Sequence, residues 1–137
     1  MMPGSPSGTP RPWGDAETPY EELGGAERTR ALAEAFYDVI EEQSPGLRAM
    51  LPASTAVSRE KLGDYLIGWL GGPQLYVEKR GHPRLRMRHA PFPIGAPEAD
   101  EWMRCMTVAM DRIGVEGTVR AFLVDRFEPL ARHMINR

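Results

Sequence analysis

Apolar side chains recur along this chain at spacings of three and four residues, the period of a helix with one buried face. The clearest stripe predicts a helix over residues 26–43 and consists of Leu32, Ala35, Phe36, Val39 and Ile40. Similar stripes predict helices over about residues 57–70, 98–113 and 117–136. No segment shows sustained alternation with a period of two, so the pattern predicts an all-α protein.

Glycine and proline mark where these helices begin and end. Thr18-Pro19 is typical of an N-cap followed by a first-turn proline, and Gly24-Gly25 ends that first short helix. Segments 44–46 and 71–73, which contain only serine, glycine and proline, end the next two long helices. We expect Pro129 to kink or restart the last helix, because proline removes a backbone donor.

The segments between the long helices are less regular. Residues 47–51 form a short segment before Pro52, and residues 76–89 are mixed, with a turn predicted at 81–83 and a short helix after it. Residues 90–97 hold three prolines and one glycine, which indicates a connecting loop.

Residues 1–17 are predicted to be a flexible extension ahead of a single domain at 18–137. The segment from Met2 to Gly14 contains four prolines, three glycines and two serines, a composition with few groups that can pack. Trp13 is its one large apolar residue. Docking of that ring on the domain is the alternative to a flexible tail.

The composition is ordinary for a globular domain. The 137 residues are 42% hydrophobic and 26% charged, which suits one buried core. The formal net charge of −2 gives no general attraction to nucleic acid or anionic membranes. Cys105 is the one cysteine, so no disulfide forms within the chain. No apolar run reaches the roughly 20 residues that span a bilayer, and no signal-peptide pattern is present, so we expect a cytoplasmic protein.

The three histidines are the candidate metal ligands. His82 precedes a proline in a predicted turn, His133 lies near the end of the last helix, and His89 ends an arginine-rich run. His82 and His89 are seven residues apart, unlike the i, i+4 spacing of a helical zinc pair, and one cysteine cannot build a thiolate site. A zinc site made by protein ligands alone is therefore not expected. Taken alone, a histidine such as His89 is more often structural than a ligand.

Residues 71–92 form a long and unusual motif, in which a Gly-Gly-Pro break is followed by Tyr76 and then by Gly-His-Pro-Arg-Leu-Arg-Met-Arg-His-Ala-Pro-Phe. Phe36-Tyr37 on the second helix and Trp102 further along accompany this motif. In these features the chain resembles the group II truncated haemoglobins over about residues 18–136. The resemblance implies a two-over-two helical sandwich that encloses haem b.

The resemblance also assigns the metal ligand. Globins hold the haem iron by one neutral imidazole, and His89 matches that position in the family. Its second ring nitrogen is expected to donate to a backbone carbonyl, which fixes the tautomer and the ring orientation. The other cofactor contacts that the resemblance implies come from Tyr65, Leu66, Tyr76, Arg84, Leu85, Arg88, Phe92, Ile94 and Met106.

The basic side chains between residues 79 and 88 have more than one interpretation. By themselves they suit a solvated face or a nucleic-acid contact, although the net charge of −2 counts against nucleic acid. Given the resemblance, Arg88 is the first choice for binding a haem propionate, with Tyr76 and Arg84 next, because arginine binds carboxylates in a forked geometry.

On the other side of the haem, the resemblance implies a pocket for the gas ligand, formed by Phe36, Tyr37, Leu51, Ser58, Leu62 and Trp102. Tyr37 and Trp102 can donate hydrogen bonds there; without the resemblance both are better interpreted as core aromatics. Leu51 stands where the family often has tyrosine, histidine or phenylalanine, and leucine cannot donate a hydrogen bond.

The function that the resemblance implies is reversible binding of oxygen, carbon monoxide and nitric oxide, in a transport or sensing role without catalytic residues. The alternative is a haem enzyme that removes nitric oxide or peroxide. No distal histidine is apparent for peroxidase chemistry, and nitric oxide turnover would need a separate reductase. Neither a membrane nor a nucleic-acid partner is expected, and the sequence leaves both a monomer and a homodimer open.

Overall fold

The computed structural model describes residues 11–137, which form eight α-helices and no strand. In chain order the helices are α1 (Pro19–Leu23), α2 (Gly25–Gln43), α3 (Pro45–Arg48), α4 (Ala56–Trp69), α5 (Leu75–Arg80), α6 (Leu85–His89), α7 (Ala96–Ile113) and α8 (Gly117–His133). The all-α prediction is confirmed, and each long helix begins and ends within three residues of its predicted bounds. The first ten residues of the predicted extension lie outside the described part of the chain.

The start of the domain follows the local sequence. The side chain of Thr18 accepts a hydrogen bond from the backbone N–H of Glu21 at 3.0 Å, and Pro19 occupies the first helical turn. Gly24 ends α1 with a φ of 125°, a conformation that favours glycine. The predicted N-cap and the predicted break are therefore both confirmed.

The four long helices form the two-layer sandwich. Helix α2 packs against both α4 and α7, and α7 packs against α8. The side chains in their shared core are large and apolar, and the largest fully buried ones include Phe36, Leu66, Met106, Leu123 and Phe127. Burying such side chains stabilises the fold by roughly 1.5–3 kcal/mol each, so packing of the amphipathic faces holds these helices together.

One buried carboxylate connects this core to the shorter helices. Asp64 on α4 is fully buried, and it accepts hydrogen bonds from Arg30 on α2 and from Lys79 and Arg80 on α5, at 2.7, 3.0 and 2.9 Å. Burial by itself raises the pKa of this carboxyl, but the three cationic donors more than offset that effect and lower the pKa of Asp64 to about 2. Asp64 thus stays ionised and fixes α5 against α4.

Helix α8 runs without interruption from Gly117 to His133 and contains Pro129, so the restart expected at that proline does not occur. Pro129 is exposed, and so is Asp125 one turn before it. Water can therefore solvate the backbone carbonyl that the proline leaves without a donor.

Residues 11–17 lie against the domain. The Trp13 ring meets the Phe122 ring edge-on at 5.4 Å between centroids, and its indole N–H donates to the carbonyl of Ala16 at 2.8 Å. The domain boundary at residue 18 and the flexibility of residues 1–17 stay predictions.

Among residues 11–137, no helix has the combination of length and apolar character that crossing a membrane requires.

Candidate functional site

A cavity of about 310 Å³ opens between the long helices and α6, and its walls are mainly apolar. This volume is in the range of sites that bind small molecules and cofactors. Thirteen of the sixteen residues predicted to form the site line the cavity: Phe36, Tyr37, Leu51, Ser58, Leu62, Tyr65, Tyr76, Leu85, Arg88, His89, Phe92, Ile94 and Trp102.

The other three predicted site residues lie elsewhere. Leu66 and Met106 are fully buried in the core between the long helices. Arg84 is exposed at the start of α6, in the left-handed backbone conformation with a φ of 48°. An apolar stripe on a helix predicts that its residues are buried, but it does not say whether they face a cavity or a neighbouring helix.

His89 lies at the end of α6, half-buried, and faces the cavity. Its Nδ1 atom is 2.6 Å from the carbonyl oxygen of Leu85, one turn earlier in the same helix. Since a carbonyl oxygen only accepts, Nδ1 carries the proton and Nε2 keeps a free lone pair. This is the tautomer that a metal-binding imidazole requires, and Leu85 supplies the carbonyl that the sequence left unidentified.

Neither of the other two histidines lines this cavity. The Nδ1 atom of His82 accepts a hydrogen bond from the backbone N–H of Arg84 at 3.1 Å. His133 is exposed, and its backbone carbonyl accepts from Arg86 at 2.9 Å. The geometry therefore singles out His89 among the three.

An aromatic cluster forms the wall of α2 and α7. The Phe36 ring contacts the rings of Tyr37 and Trp102, with centroids 5.3 and 5.1 Å away. The Trp102 ring also meets Phe127 edge-on at 5.5 Å. These contacts fix the orientation of the two side chains in this wall that can donate a hydrogen bond.

The polar atoms of Tyr37 and Trp102 have no protein partner among residues 11–137, whereas the indole N–H of Trp13 does. Burial raises the pKa of Tyr37 to about 12, against an opposing effect from the nearby charge of Arg59. The Tyr37 hydroxyl is therefore protonated at neutral pH. Two unpaired donors thus belong to a cavity with mainly apolar walls, where a hydrogen bond is stronger than in water.

Two cations also line the cavity. Within residues 11–137, neither Lys61 nor Arg88 forms an ion pair with a carboxylate. Arg88 donates from Nε to the carbonyl of Pro83 at 2.9 Å, which leaves its terminal nitrogens available to an anion. The sequence reasoning missed Lys61, although it follows Ser58 by three residues and precedes Tyr65 by four, on the same face of α4.

The remaining lining residues that the sequence reasoning missed come mainly from α3, α7 and α8 and the ends of these helices. They are Ile40, Leu47, Met50, Glu98, Ala99, Leu130, Ala131 and Met134. Glu98 is already engaged, because its Oε1 atom accepts from the backbone N–H of Gly95 at 2.7 Å. The other seven are apolar, and helical periodicity gave no reason to separate them from the core.

The arrangement fits a haem. It provides one neutral imidazole with a free Nε2, apolar walls for a macrocycle, and two cations that pair with no carboxylate of residues 11–137 and can bind carboxylate groups. The unpaired hydrogen-bond donors of Tyr37 and Trp102 belong to the same cavity, on helices other than the one that carries His89.

The comparisons with known proteins agree with this geometry. Residues 18–136 match the family described as bacterial-like globin. The group 2 truncated haemoglobin YjbI of Bacillus subtilis is 44% identical over 119 residues, which cover 87% of this chain and 89% of the relative.

Solved structures match closely as well. The group II truncated haemoglobin from Bacillus anthracis gives a TM-score of 0.85 at 39% identity, covering 88% of this chain and 98% of that one. The truncated oxygen-avid haemoglobin from Bacillus subtilis gives 0.83 at 43% identity, covering 88% and 100%. The predicted two-over-two globin fold is therefore confirmed. The chain belongs to the bacterial-like globin family, and within it this protein is a group II truncated haemoglobin, a haem protein that binds diatomic gases.

Proposed function

We propose that this protein reversibly binds oxygen through haem b, whose iron His89 would hold, with Tyr37 and Trp102 available as hydrogen-bond donors to the gas. The observation that carries the proposal is the 2.6 Å contact between His89 Nδ1 and the Leu85 carbonyl, because it leaves Nε2 free on the cavity side. When bound, the haem supplies the iron to which the gas binds, and the protein supplies the ligand, the donors and the apolar enclosure.

The partner of Nδ1 determines how His89 serves as a ligand. A backbone carbonyl is a weaker acceptor than a carboxylate, so Leu85 orients the ring and raises its basicity only moderately. The contact lies within one helical turn, which means that α6 must be formed for the ring to be held. His89 is therefore a ligand whose orientation depends on the integrity of a five-residue helix.

Tyr37 and Trp102 favour a polar gas ligand. Both donors come from long helices, and both rings contact Phe36. Oxygen acquires more negative charge on binding than carbon monoxide does, so it gains more from the same donors. The related haemoglobin of Bacillus subtilis is described as oxygen-avid, which supports oxygen as the ligand here.

Lys61 and Arg88 are proposed to bind the propionates. Lys61 comes from α4 and Arg88 from α6, so the two cations extend from different elements that line the cavity. Arg88 lies next to His89, which couples the anchoring of the cofactor to the helix that carries the ligand. Tyr76, which is buried and lines the cavity, contributes an apolar contact.

Absorption spectroscopy tests this proposal. The purified protein, loaded with haem, is recorded in the oxidised state, after reduction with dithionite, and after addition of carbon monoxide or oxygen. We expect a stable stoichiometric haem spectrum that changes with each gas and reverts when the gas is removed. A chain that retains no haem, or a reduced spectrum that neither gas changes, would contradict the proposal. Catalytic consumption of nitric oxide or peroxide in the presence of a reductant would favour the enzymatic alternative.

A further inference from the structure

Helix α6 carries His89 but has little of its own to hold it in place. It spans only five residues, Leu85–His89, and packs little against the long helices. A helix this short is unstable in isolation. It also begins after Arg84, whose left-handed backbone, with φ of 48°, persists only where surrounding contacts impose it. Contacts from elsewhere must therefore fix this helix.

Those contacts come from residues 134–137, which follow α8 and which we call the α8 extension. Asn136 lies at its centre. The side-chain amide of Asn136 donates to the carbonyl of His89 at 3.3 Å and to the carbonyl of Phe92 at 2.9 Å. Its Oδ1 atom accepts from the backbone N–H of Ile94 at 3.0 Å. One side chain thus satisfies three backbone groups on the segment that follows the ligand.

The backbone of the α8 extension completes this connection. The N–H groups of Asn136 and Arg137 both donate to the carbonyl of Ile94, at 2.8 and 3.2 Å. Ile94 is buried and lines the haem cavity. The α8 extension therefore binds both ends of the loop that runs from His89 to Ile94.

Arg86 makes the reciprocal contact from α6. Its guanidinium donates to the carbonyl of His133 at 2.9 Å and to that of Ile135 at 3.2 Å. The last carbonyls of a helix have no partner within the helix, and a positive charge at that end is favourable. Arg86 thus joins α6 to the end of α8, about fifty residues away in the chain.

We propose that the α8 extension sets the position and orientation of His89, with Asn136 and Arg86 as positioning residues; this inference rests on the proposed role of His89 as the axial ligand. Without these bonds α6 can shift or fray. The Leu85 carbonyl then no longer holds Nδ1 in a fixed direction, and Nε2 no longer points one way into the cavity. Neither Arg86 nor Asn136 lines the cavity.

The variants that test the proposal separate positioning from general stability. Asn136→Ala removes all three side-chain bonds, whereas Asn136→Asp keeps an acceptor for the Ile94 N–H but loses both donors. Arg86→Met removes the contacts to α8, and Arg86→Lys retains a cation and a donor there. Arg137→Ala is the matched control, because Arg137 contributes its backbone N–H to the extension's contacts.

The readouts are the iron–imidazole stretching band in the resonance Raman spectrum of the ferrous protein and the rate of haem transfer to excess apomyoglobin. We expect the band to shift or broaden in Asn136→Ala, Asn136→Asp and Arg86→Met, with haem transfer about tenfold faster, the usual size for a group that orients a metal ligand. Arg86→Lys should recover much of the wild-type behaviour, and Arg137→Ala should match wild type.

An unchanged band and unchanged haem transfer in both Asn136→Ala and Arg86→Met would overturn the proposal. A lowered melting temperature with an unchanged band would also overturn it, because the contacts would then be merely structural. The His89→Ala protein separates the two hypotheses: if an iron–imidazole band persists in that variant, the ligand assignment itself fails. If the band is lost there but unaffected by the Asn136 and Arg86 variants, only the positioning role fails.

Discussion

The two sides of the haem cavity are built in different ways. The side that we propose to bind the gas ligand, the gas-ligand side, is formed by α2, α4 and α7, which have 14 to 19 residues each. Its aromatic side chains pack into the core: Phe36 is 2% exposed, and Trp102 contacts Phe127 of α8, which is 0% exposed. The His89 side is formed by α5, α6 and the loop to Ile94, and there Met87 is 59% exposed and Phe92 37% exposed.

Different forces therefore hold the two sides. Packing energy on the gas-ligand side is spread over many contacts, so one polar atom there can be removed without disturbing the fold. On the His89 side, single hydrogen bonds and ion pairs carry the structure, and each removal should have a local structural effect. We expect substitutions of the hydrogen-bond donors on the gas-ligand side to change gas kinetics, and substitutions on the His89 side to change how firmly the haem is held.

The largest effect should come from His89, the proposed iron ligand. His89→Ala removes the imidazole that faces the cavity, and we expect loss of the five-coordinate ferrous spectrum together with haem transfer to apomyoglobin at least one hundredfold faster. His133→Ala is the control, since this residue does not line the cavity. The assignment is wrong if His89→Ala retains the wild-type ferrous spectrum.

Asp64→Asn should have the next largest effect, because Asp64 joins the two sides. The substitution weakens charge-assisted bonds to three partly exposed cations, and we expect unfolding free energy to fall by about 2 kcal/mol in urea titrations at pH 7. Asp100→Asn, which weakens an exposed pair with Arg132, is the control and should cost about 0–1 kcal/mol.

The pH dependence sharpens that prediction. The pKa of Asp64 is lowered to about 2 in the folded protein, against about 3.9 in the unfolded chain. Its contribution to stability is therefore fully present above about pH 4 and is lost as the pH falls from there through about 2. Asp64→Asn should lose less stability than wild type over this interval. If the unfolding free energies of wild type and Asp64→Asn fall in parallel between pH 4 and 2, Asp64 is not responsible for the acid-induced loss of stability.

Substitution of the two hydrogen-bond donors, Trp102 and Tyr37, should have a smaller effect that is confined to gas kinetics. Trp102→Phe and Tyr37→Phe should each raise the oxygen dissociation rate about tenfold, because one hydrogen bond to a partly charged acceptor is lost. The two effects should not add, since both donors address one ligand. Carbon monoxide release should change less.

Haem transfer from Trp102→Phe and Tyr37→Phe should stay near the wild-type rate, because we expect the donors to affect the gas ligand and not the retention of haem. Leu51→Phe is the control, because neither side chain donates a hydrogen bond. Stopped-flow measurement of oxygen release tests whether Tyr37 and Trp102 act as donors to the gas. Wild-type rates in both Trp102→Phe and Tyr37→Phe would mean that the two aromatics serve packing alone.

The smallest effect should come from the cations of the cavity rim. Arg88→Ala and Lys61→Met each remove one proposed partner of a propionate, and exposed pairs are worth about 0–1 kcal/mol. We expect haem transfer to be at most about fivefold faster, with unchanged melting temperature. Arg126→Ala, an exposed arginine against Trp69 and Phe122, is the control. Haem transfer at the wild-type rate in both variants would mean that the cations are only solvated.

Helix positions were predictable because their causes are local. The Thr18 cap, the break at Gly24 and the apolar stripe of α2 each involve residues within a few positions of one another. The prediction at Pro129 failed in part for the opposite reason. Whether a proline interrupts a helix depends on what solvates the freed carbonyl, and the pattern of the chain does not give that.

The sequence by itself determined that this protein is an all-α chain with four long amphipathic helices, and its motif at residues 71–92 indicated His89 as the ligand. Tertiary structure alone decided that Asn136 binds the backbone of His89, 47 residues earlier, and that Lys79 and Arg80 share a buried carboxylate with Arg30. It also decided that Lys61 faces the cavity whereas Leu66 faces the core. The physical reason is that periodicity and capping are properties of neighbours along the chain, whereas the partner of a polar group depends on which distant segments the packed helices bring within hydrogen-bond distance.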